Sequence, residues 1–480
     1  MAEGEKHPMP TSFKPIYLPY NDMAQTMVSE LAAELGLTLK ARTGEKHRAI
    51  LASFLASVQM EGVEGTLFWL GGSTSQDTNG FAFYPAAGAA TIRAVRQGLV
   101  DKGYLTHMDD VPSGLGNLSH GEAKSVMGVQ QRGKERDPTA YRINATDLLL
   151  DTRLQDAAFI DAQRPYVLVN KHEDPDVKHA RKRDGENIPR LPYKEVYKGK
   201  LGPEVSAAQR AVKEMNAFWA KHPLTQPATK TRPAKYYASA TRIFHNGDMK
   251  SGGRWYGGWT SMRNKEEQRL NLLIDEEPVC EIDLNASQPS LLSALVGIKM
   301  NTGDTWLDAY AAVVERLDMT GDAKALRKKV KQVIVEMIGT GNANRSGPAN
   351  SKDNLFDNTE EGLAEYNMIC RASLEVIPAL YKLDAGYMNA LGFLSYHEAN
   401  ILTETLLSLK RQGVPAYGVH DCIIVKQSDM DIAVANYRTI IRDYTLRIQK
   451  QLNAPQVVTE AAVKIERKNL DDVKLVGRYT

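Results

Sequence analysis

Two short apolar segments of the chain each present one aspartate. The first is Val279-Cys280-Glu281-Ile282-Asp283-Leu284, followed by the polar run Asn285-Ala286-Ser287-Gln288-Pro289. The second is Tyr417-Gly418-Val419-His420-Asp421-Cys422-Ile423-Ile424-Val425. Each places a carboxylate at a strand end or turn, where it can leave a sheet and face a cleft. Two such acids on adjacent strands can hold a pair of hard divalent cations, the arrangement that nucleotidyl transfer requires. A lone strand-end aspartate is more often a turn or helix-capping residue. The His-Asp turn is more pointed, because a charged aspartate between two apolar strands is costly unless a cation compensates it.

Basic and aromatic side chains of complementary chemistry surround these acids in the sequence. Arg327 and Lys331 are four residues apart in Arg327-Lys-Lys-Val-Lys331-Gln-Val-Ile-Val335. They share one helical face with Val335, and two cations there repel unless an anion such as a nucleoside triphosphate lies between them. Upstream, Gly252-Gly253-Arg254-Trp255-Tyr256-Gly257-Gly258-Trp259 sets four glycines around an arginine and three aromatics. Glycines allow close backbone approach, the arginine can bond a phosphate in two places, and the rings can stack on bases or sugars. A tight turn with core aromatics reads the same way.

The order Gly-Arg, strand-end Asp, Arg-x-x-x-Lys helix and His-Asp hairpin resembles the motif series of the single-subunit polymerase superfamily. That superfamily contains the family-A DNA polymerases and the phage-type RNA polymerases. The resemblance covers about residues 236–430 and implies a right-hand palm with inserted fingers. On it, Asp283 and Asp421 would coordinate two Mg²⁺ ions, with Mn²⁺ as a substitute. Arg327 and Lys331 would hold the triphosphate, Lys331 could protonate the leaving group, and Val335 would lie on the same nucleotide-binding face. His420, Arg254 and Tyr256 would contact primer or template, and Glu398, in Tyr396-His397-Glu398-Ala-Asn400, would line the cleft. Three departures stand out. Cys422 follows Asp421 where family A carries a glutamate and the RNA polymerases a serine. The basic helix ends in Gly339-Thr340 in place of Tyr-Gly. The interval between the acids is short, so small fingers are expected. On the same resemblance, Gln288, five residues after Asp283, would stand where DNA polymerases carry a bulky polar residue and would leave little room for a 2′-hydroxyl, which favours deoxynucleotides.

The elements that must position these residues can be read from periodicity. Apolar spacing predicts two helical stretches between Met23 and Gln59, and Thr66–Leu70 reads as a strand. Thr91–Lys102 reads as an amphipathic helix, with Arg93 and Arg96 beside its apolar face. A Gly103 stop and the strand Tyr104-Leu-Thr follow. This helix and strand resemble the third helix and first wing strand of winged-helix DNA-binding domains, with Tyr141-Arg-Ile143 returning after a long loop at 112–138. A helix–strand corner of any α+β domain fits equally. Residues 1–20 read as an arm, 71–79 as a loop, and 171–200 as a charged linker with a basic cluster at Lys178, Arg181, Lys182 and Arg183. A helix is expected over Glu204–Lys221. The polymerase elements then require a strand at Val279–Leu284, helices at Ser290–Val296 and Leu402–Leu409, and strands at Ala416–Val419 and Ile423–Val425.

The expected fold class is α+β: a polymerase palm of antiparallel sheet and helices, small helical fingers, and an α+β N-terminal region with a winged-helix-like domain. The expected division is an arm and helix at 1–45 and a winged-helix-like nucleic-acid-binding domain at 46–150. A charged linker and thumb-like helix then occupy 151–235, and the palm occupies 236–480 with fingers at about 300–395. The 480 residues are 42% apolar and 25% charged, which excludes a disordered or collagen-like chain. A formal charge of +2 gives no global basic field, so nucleic acid would be held by local patches. Three dispersed cysteines fit a reducing compartment, and neither a signal peptide nor a membrane-spanning run is present, so a cytoplasmic location is expected. Partners would be primer-template DNA, with RNA left open, and nucleoside triphosphates. The leading function is a template-dependent DNA polymerase extending a 3′-hydroxyl. Two alternatives stay open: a compact RNA polymerase or primase, and a DNA-binding replication initiator or regulator with a degenerate palm.

Overall fold

The structure is a computed structural model. It describes residues 11–13, 16–69, 89–108, 139–162, 166–170, 190–192, 202–230, 232–262, 268–301, 308–318, 322–349, 354–383, 390–458 and 463–467. The loops expected at 71–79 and 112–138 and the basic cluster at 178–183 lie outside them. Strands and helices are mixed throughout, as an α+β chain requires.

The N-terminal core is built from three longer helices, two single-turn helices (Asp147–Leu150 and Arg153–Asp156, burying Leu149 and Leu154) and a four-stranded sheet. Helix α1 (Asp22–Glu34) is capped by Asn21, whose side chain accepts from the Ala24 amide, and α2 (Ala41–Glu61) ends at Gly62 with φ 78°. Ile50, Leu51, Phe54, Leu55 and Val58 all point from α2 into this core, as their spacing predicts. Helix α3 (Ala89–Asp101) contributes Ile92, Val95 and Leu99. The sheet order is β1 (Thr11–Ser12), β3 (Thr66–Trp69), β5 (Thr139–Ile143), β4 (Leu105–Met108), with β4 and β5 antiparallel. The expected N-terminal arm is therefore partly strand. Thr11–Ser12 adds to β3 and β2 (Tyr17–Pro19) to β6 (Phe159–Asp161), because Phe13 and Leu18 have apolar cores to enter.

A larger sheet runs in the order β15, β16, β14, β13, β9, β10, β6, β2, with β17 also on β14. Its strands are β15 (Ala416–Val419), β16 (Cys422–Lys426), β14 (Glu277–Leu284), β13 (Leu273–Ile274), β9 (Leu224–Gln226), β10 (Lys235–Tyr237), β6 (Phe159–Asp161) and β17 (Val463–Arg467). All pairings in it are antiparallel except β10 with β6. In β6, Phe159 enters the N-terminal core and its neighbour Ile160 enters the main core, as strand alternation requires. A third sheet, ordered β12 (Gly252–Gly257), β11 (Ala240–Phe244), β7 (Val167–Asn170), β8 (Arg190–Pro192), makes part of the expected 171–200 linker a strand.

Helices α4 (Pro203–Trp219), α5 (Ser287–Val296), α6 (Ala309–Leu317), α7 (Ala323–Thr340), α8 (Glu360–Val376), α9 (Ala390–Arg411) and α10 (Met430–Gln451) cover the main core. Proline opens α4, where its missing amide costs nothing. Helix α5 starts earlier than expected, at Ser287, because Pro289 fits a first helical turn and Ala286 turns the chain with φ 43°. Helix α9 extends the expected Leu402–Leu409 by more than two turns toward its N-terminus, with Phe393, Leu394 and Ile401 all reaching the main core. No helix of the described residues is long and apolar enough to cross a membrane.

Candidate active site

The second aspartate rides on a two-residue hairpin turn. Val419 pairs with Cys422, leaving His420 and Asp421 as the turn, and His420 takes φ 59°, a region a side chain seldom occupies. Several contacts hold this hairpin. The Tyr437 hydroxyl donates to the Asp421 carbonyl at 2.7 Å, Trp259 Nε1 to the Gly418 carbonyl at 2.9 Å, and Trp219 Nε1 to the Ala416 carbonyl at 2.8 Å. Trp219 stacks on Tyr417 with centroids 4.9 Å apart. Gly418 is required, since a Cβ there would lie 2.6 Å from the Leu402 side chain on α9.

Strand β14 brings the first aspartate to the same place. Its pairing with β16 runs from Val279–Lys426 to Ile282–Ile423, and one further step sets Asp283 beside Cys422. Asp283 and Asp421 thus stand toward the same end of neighbouring strands, Asp283 one residue past the Ile282–Ile423 pair and Asp421 two residues before Ile423. Tyr437 reports their shared field. Burial first, and then Asp421, Cys422, Glu398 and Asp283, push its phenol well above the ordinary range.

Glu398, on α9, is the third acid at this corner and is almost inaccessible. Its Oε2 accepts from Arg254 Nε at 2.8 Å and Nη2 at 2.5 Å, while Oε1 accepts from the Ser287 hydroxyl at 3.1 Å. Arg254, expected to meet a phosphate, is therefore engaged by a carboxylate. Burial, and after it Glu398, push the Asp421 carboxyl up to about 7, while Arg254 and Ser287 pull the other way. The corner holds more carboxylate than cation.

His420 lies beside this group. Burial, then Arg254 and Arg269, push its imidazole down to about 4, so the ring is neutral near pH 7. Its Nδ1 is buried with no hydrogen-bond partner among the described residues, and the Tyr256 ring stands edge-on at 6.4 Å. Tyr256 is half-buried, whereas Trp255 and Trp259 are wholly buried. Two of the three aromatics thought able to stack on bases are instead core residues. Trp255 Nε1 donates to Thr403 at 2.9 Å, and a Cβ on Gly257 would lie 2.4 Å from the Trp259 ring.

The basic helix is α7, capped by Asp322. Val330, Val333, Ile334, Met337 and Ile338 bury one face. Lys331, Val335 and Gly339 are exposed on the other, in line with half-buried Arg327. Arg327 is not left to repel Lys331: Nε and Nη2 donate to Asp308 at 3.1 and 2.8 Å, and its guanidinium lies 5.2 Å over the Tyr310 ring. Burial first, then Asp421, raise the Tyr310 phenol, which also feels Arg327, Asp308 and Glu398. The Tyr310 phenol thus feels both the acid corner and Arg327 of the basic helix. Gln288 is half-buried on the first turn of α5.

Arg93 and Arg96 lie on α3 in the N-terminal core, with Arg96 5.5 Å over the Tyr141 ring, and share no described contact with the acid corner. Sequence reasoning missed Asp308, Tyr310, Ser287 and the buried Arg269–Glu281 pair, whose Nε–Oε1 distance is 2.6 Å. Only Glu281, a charge inside the apolar run of Asp283, and Ser287, in the polar turn after it, gave a signal. Among the described residues, no group of three or more His, Cys, Asp or Glu side chains is arranged to hold a metal ion.

No family profile matches the chain, and no curated protein matches it. Among solved structures, the POL domain of Pol1 from M. smegmatis, in complex with DNA primer-template and dNTP, is similar at 13% identity and a TM-score of 0.29. The match covers 55% of this chain and 52% of that one, so the chain spans about half the length of the solved structure. A likeness that slight establishes neither fold nor function.

Proposed function

We propose that the chain is a template-dependent nucleotidyltransferase, a DNA polymerase that extends a primer 3′-hydroxyl with dNTPs. The observation that carries this reading is the pair Asp283 and Asp421, toward one end of neighbouring strands, with Tyr310 near enough to feel both Asp421 and Arg327 of the basic helix. The donors are hard carboxylate oxygens at a corner with excess negative charge, which suits Mg²⁺ or Mn²⁺. Asp283 and Asp421 would hold two such ions, with water and phosphate oxygens completing each set. Bound there, the ions would lower the pKa of the attacking hydroxyl and offset charge on the leaving pyrophosphate.

The chain's own residues do the rest. Arg327 and Lys331 bind the triphosphate along the open face of α7, beside Val335. Gln288 crowds the sugar 2′ position. Neutral His420 offers its free Nδ1 to an uncharged group at the primer terminus, with Tyr256 at its edge and the Arg254–Glu398 pair behind it. Addition joins the 3′-oxygen to the α-phosphorus and breaks the bond to the β-phosphate. The hydroxyl proton goes to solvent, and Lys331 supplies one to pyrophosphate. In the same reading, α6 to α8 form the small fingers, and α3 with β4 and β5 form a winged-helix-like contact carrying Arg93 and Arg96.

A compact RNA polymerase or primase is the second reading, favoured by Cys422, a buried apolar neighbour of Asp421. One experiment separates the two: dNTPs and NTPs offered separately with Mg²⁺, with and without primer, on DNA and RNA templates. Extension of a primer with dNTPs that vanishes in Asp283→Ala and Asp421→Ala is expected. Full activity of either variant would overturn the assignment, and duplex binding without incorporation on any template would point to a degenerate palm.

A further inference from the structure

The Asp308 carboxylate divides its two oxygens between separate tasks. Oδ1 accepts from the Tyr310 and Ala311 amides at 3.1 and 3.2 Å and caps α6. Oδ2 accepts both bonds from Arg327. The guanidinium is then fixed on two sides, edge-on by Asp308 and face-on by the Tyr310 ring. Tyr310 is 6% exposed and cannot yield, whereas the Arg327 side chain is 40% exposed. Two of its five N–H groups are used by the clasp, and three remain for an anion. A free arginine would have to surrender its rotamer freedom on binding a phosphate, and one already held surrenders little.

We propose that Asp308 is a positioning residue: it aims the open edge of Arg327 at the phosphates of a nucleoside triphosphate. This rests on the polymerase reading for the identity of the ligand, although the clasp itself does not. A carboxylate on an arginine could instead compete with phosphate, and the two roles have opposite signs.

Asp308→Asn separates cap from clasp. Its amide oxygen still caps α6, but its NH₂ faces the Arg327 donors and breaks the clasp. The apparent Tm should stay at the wild-type value while KM for dNTP rises about 5- to 10-fold, with kcat changed less than about twofold. Asp308→Ala should show the same rise in KM together with a lowered Tm from the lost cap. Titration of the full chain with inorganic tripolyphosphate gives a readout independent of turnover. Binding should be lost in Arg327→Ala and weakened by the same factor as KM in Asp308→Asn. Arg327-dependent tripolyphosphate binding without incorporation on any template would refute the polymerase reading and leave the clasp standing. An unchanged or lower KM in Asp308→Asn, or tripolyphosphate binding indifferent to Arg327, would overturn the positioning role.

Discussion

Glu398 offers the sharpest test of how the acid corner is held together. Its side chain is 3% exposed and receives two bonds from Arg254 and one from Ser287. Glu398→Ala removes all three and leaves Arg254, at 23% side-chain exposure, without its ion-pair partner. Breaking a buried pair from one side costs about 3–5 kcal/mol, and the water that reaches Arg254 argues for the lower end, about 3 kcal/mol. Glu398→Gln keeps the shape, an acceptor for Arg254 and the Ser287 bond, and should cost about 1 kcal/mol. Urea unfolding near pH 7, with the m-value checked for constancy, measures both. The Arg254→Ala/Glu398→Ala cycle should return a coupling of about 2 kcal/mol. A Glu398→Ala protein as stable as wild type, or no gap between the alanine and glutamine variants, would show that this pair does not hold the corner.

Two further outcomes follow from side chains around the site. Burial pushes the Asp161 carboxyl from 3.8 up to about 6, so the folded state binds more protons than the unfolded one between those values. Stability should therefore fall as pH rises from about 4 to about 6, by about 3 kcal/mol. Asp161→Asn, which can still accept from the Ala238 and Ser239 amides, should remove that slope. His397, pushed down to about 4 by burial, contributes the opposite slope over about 4 to 6.5. The difference between wild type and Asp161→Asn in pH-dependent unfolding isolates the first group, and identical profiles would refute the assignment. Trp259→Phe would strand the Gly418 carbonyl and leave a gap against Tyr417, costing about 2–4 kcal/mol in chemical denaturation.

Local pattern made some parts of this fold legible and left others hidden. The hairpin around His420-Asp421 could be read because two apolar runs bracket a polar pair, and β15 and β16 fall where that pattern puts them. Helix α7 could be read from its period, since its buried face follows Val330, Val333, Ile334, Met337 and Ile338. The partner of Arg327 could not, because Asp308 lies 19 residues away and meets it only when α6 folds back on α7. Arg254 and Glu398 are 144 residues apart, and nothing local distinguishes an arginine awaiting phosphate from one already bound to a carboxylate. The aromatics misled for a related reason: Trp255 and Gly257 share the buried face of β12 and Trp259 is buried from the turn after it, and strand alternation alone does not say which side is wet.

Adjacent residues of β6 serve different cores, and that strand belongs to the same ladder as the acid-bearing β14 and β16. Among the described residues, the N-terminal part is thus joined to the rest by main-chain pairing, β10 meeting β6 at Tyr236 and Ile160. Displacement between them has to be spread as twist over many strands, a few degrees at a time. Something gripped near the acids would then stand at an offset from the N-terminal core that this shared sheet sets, as a ruler sets a distance.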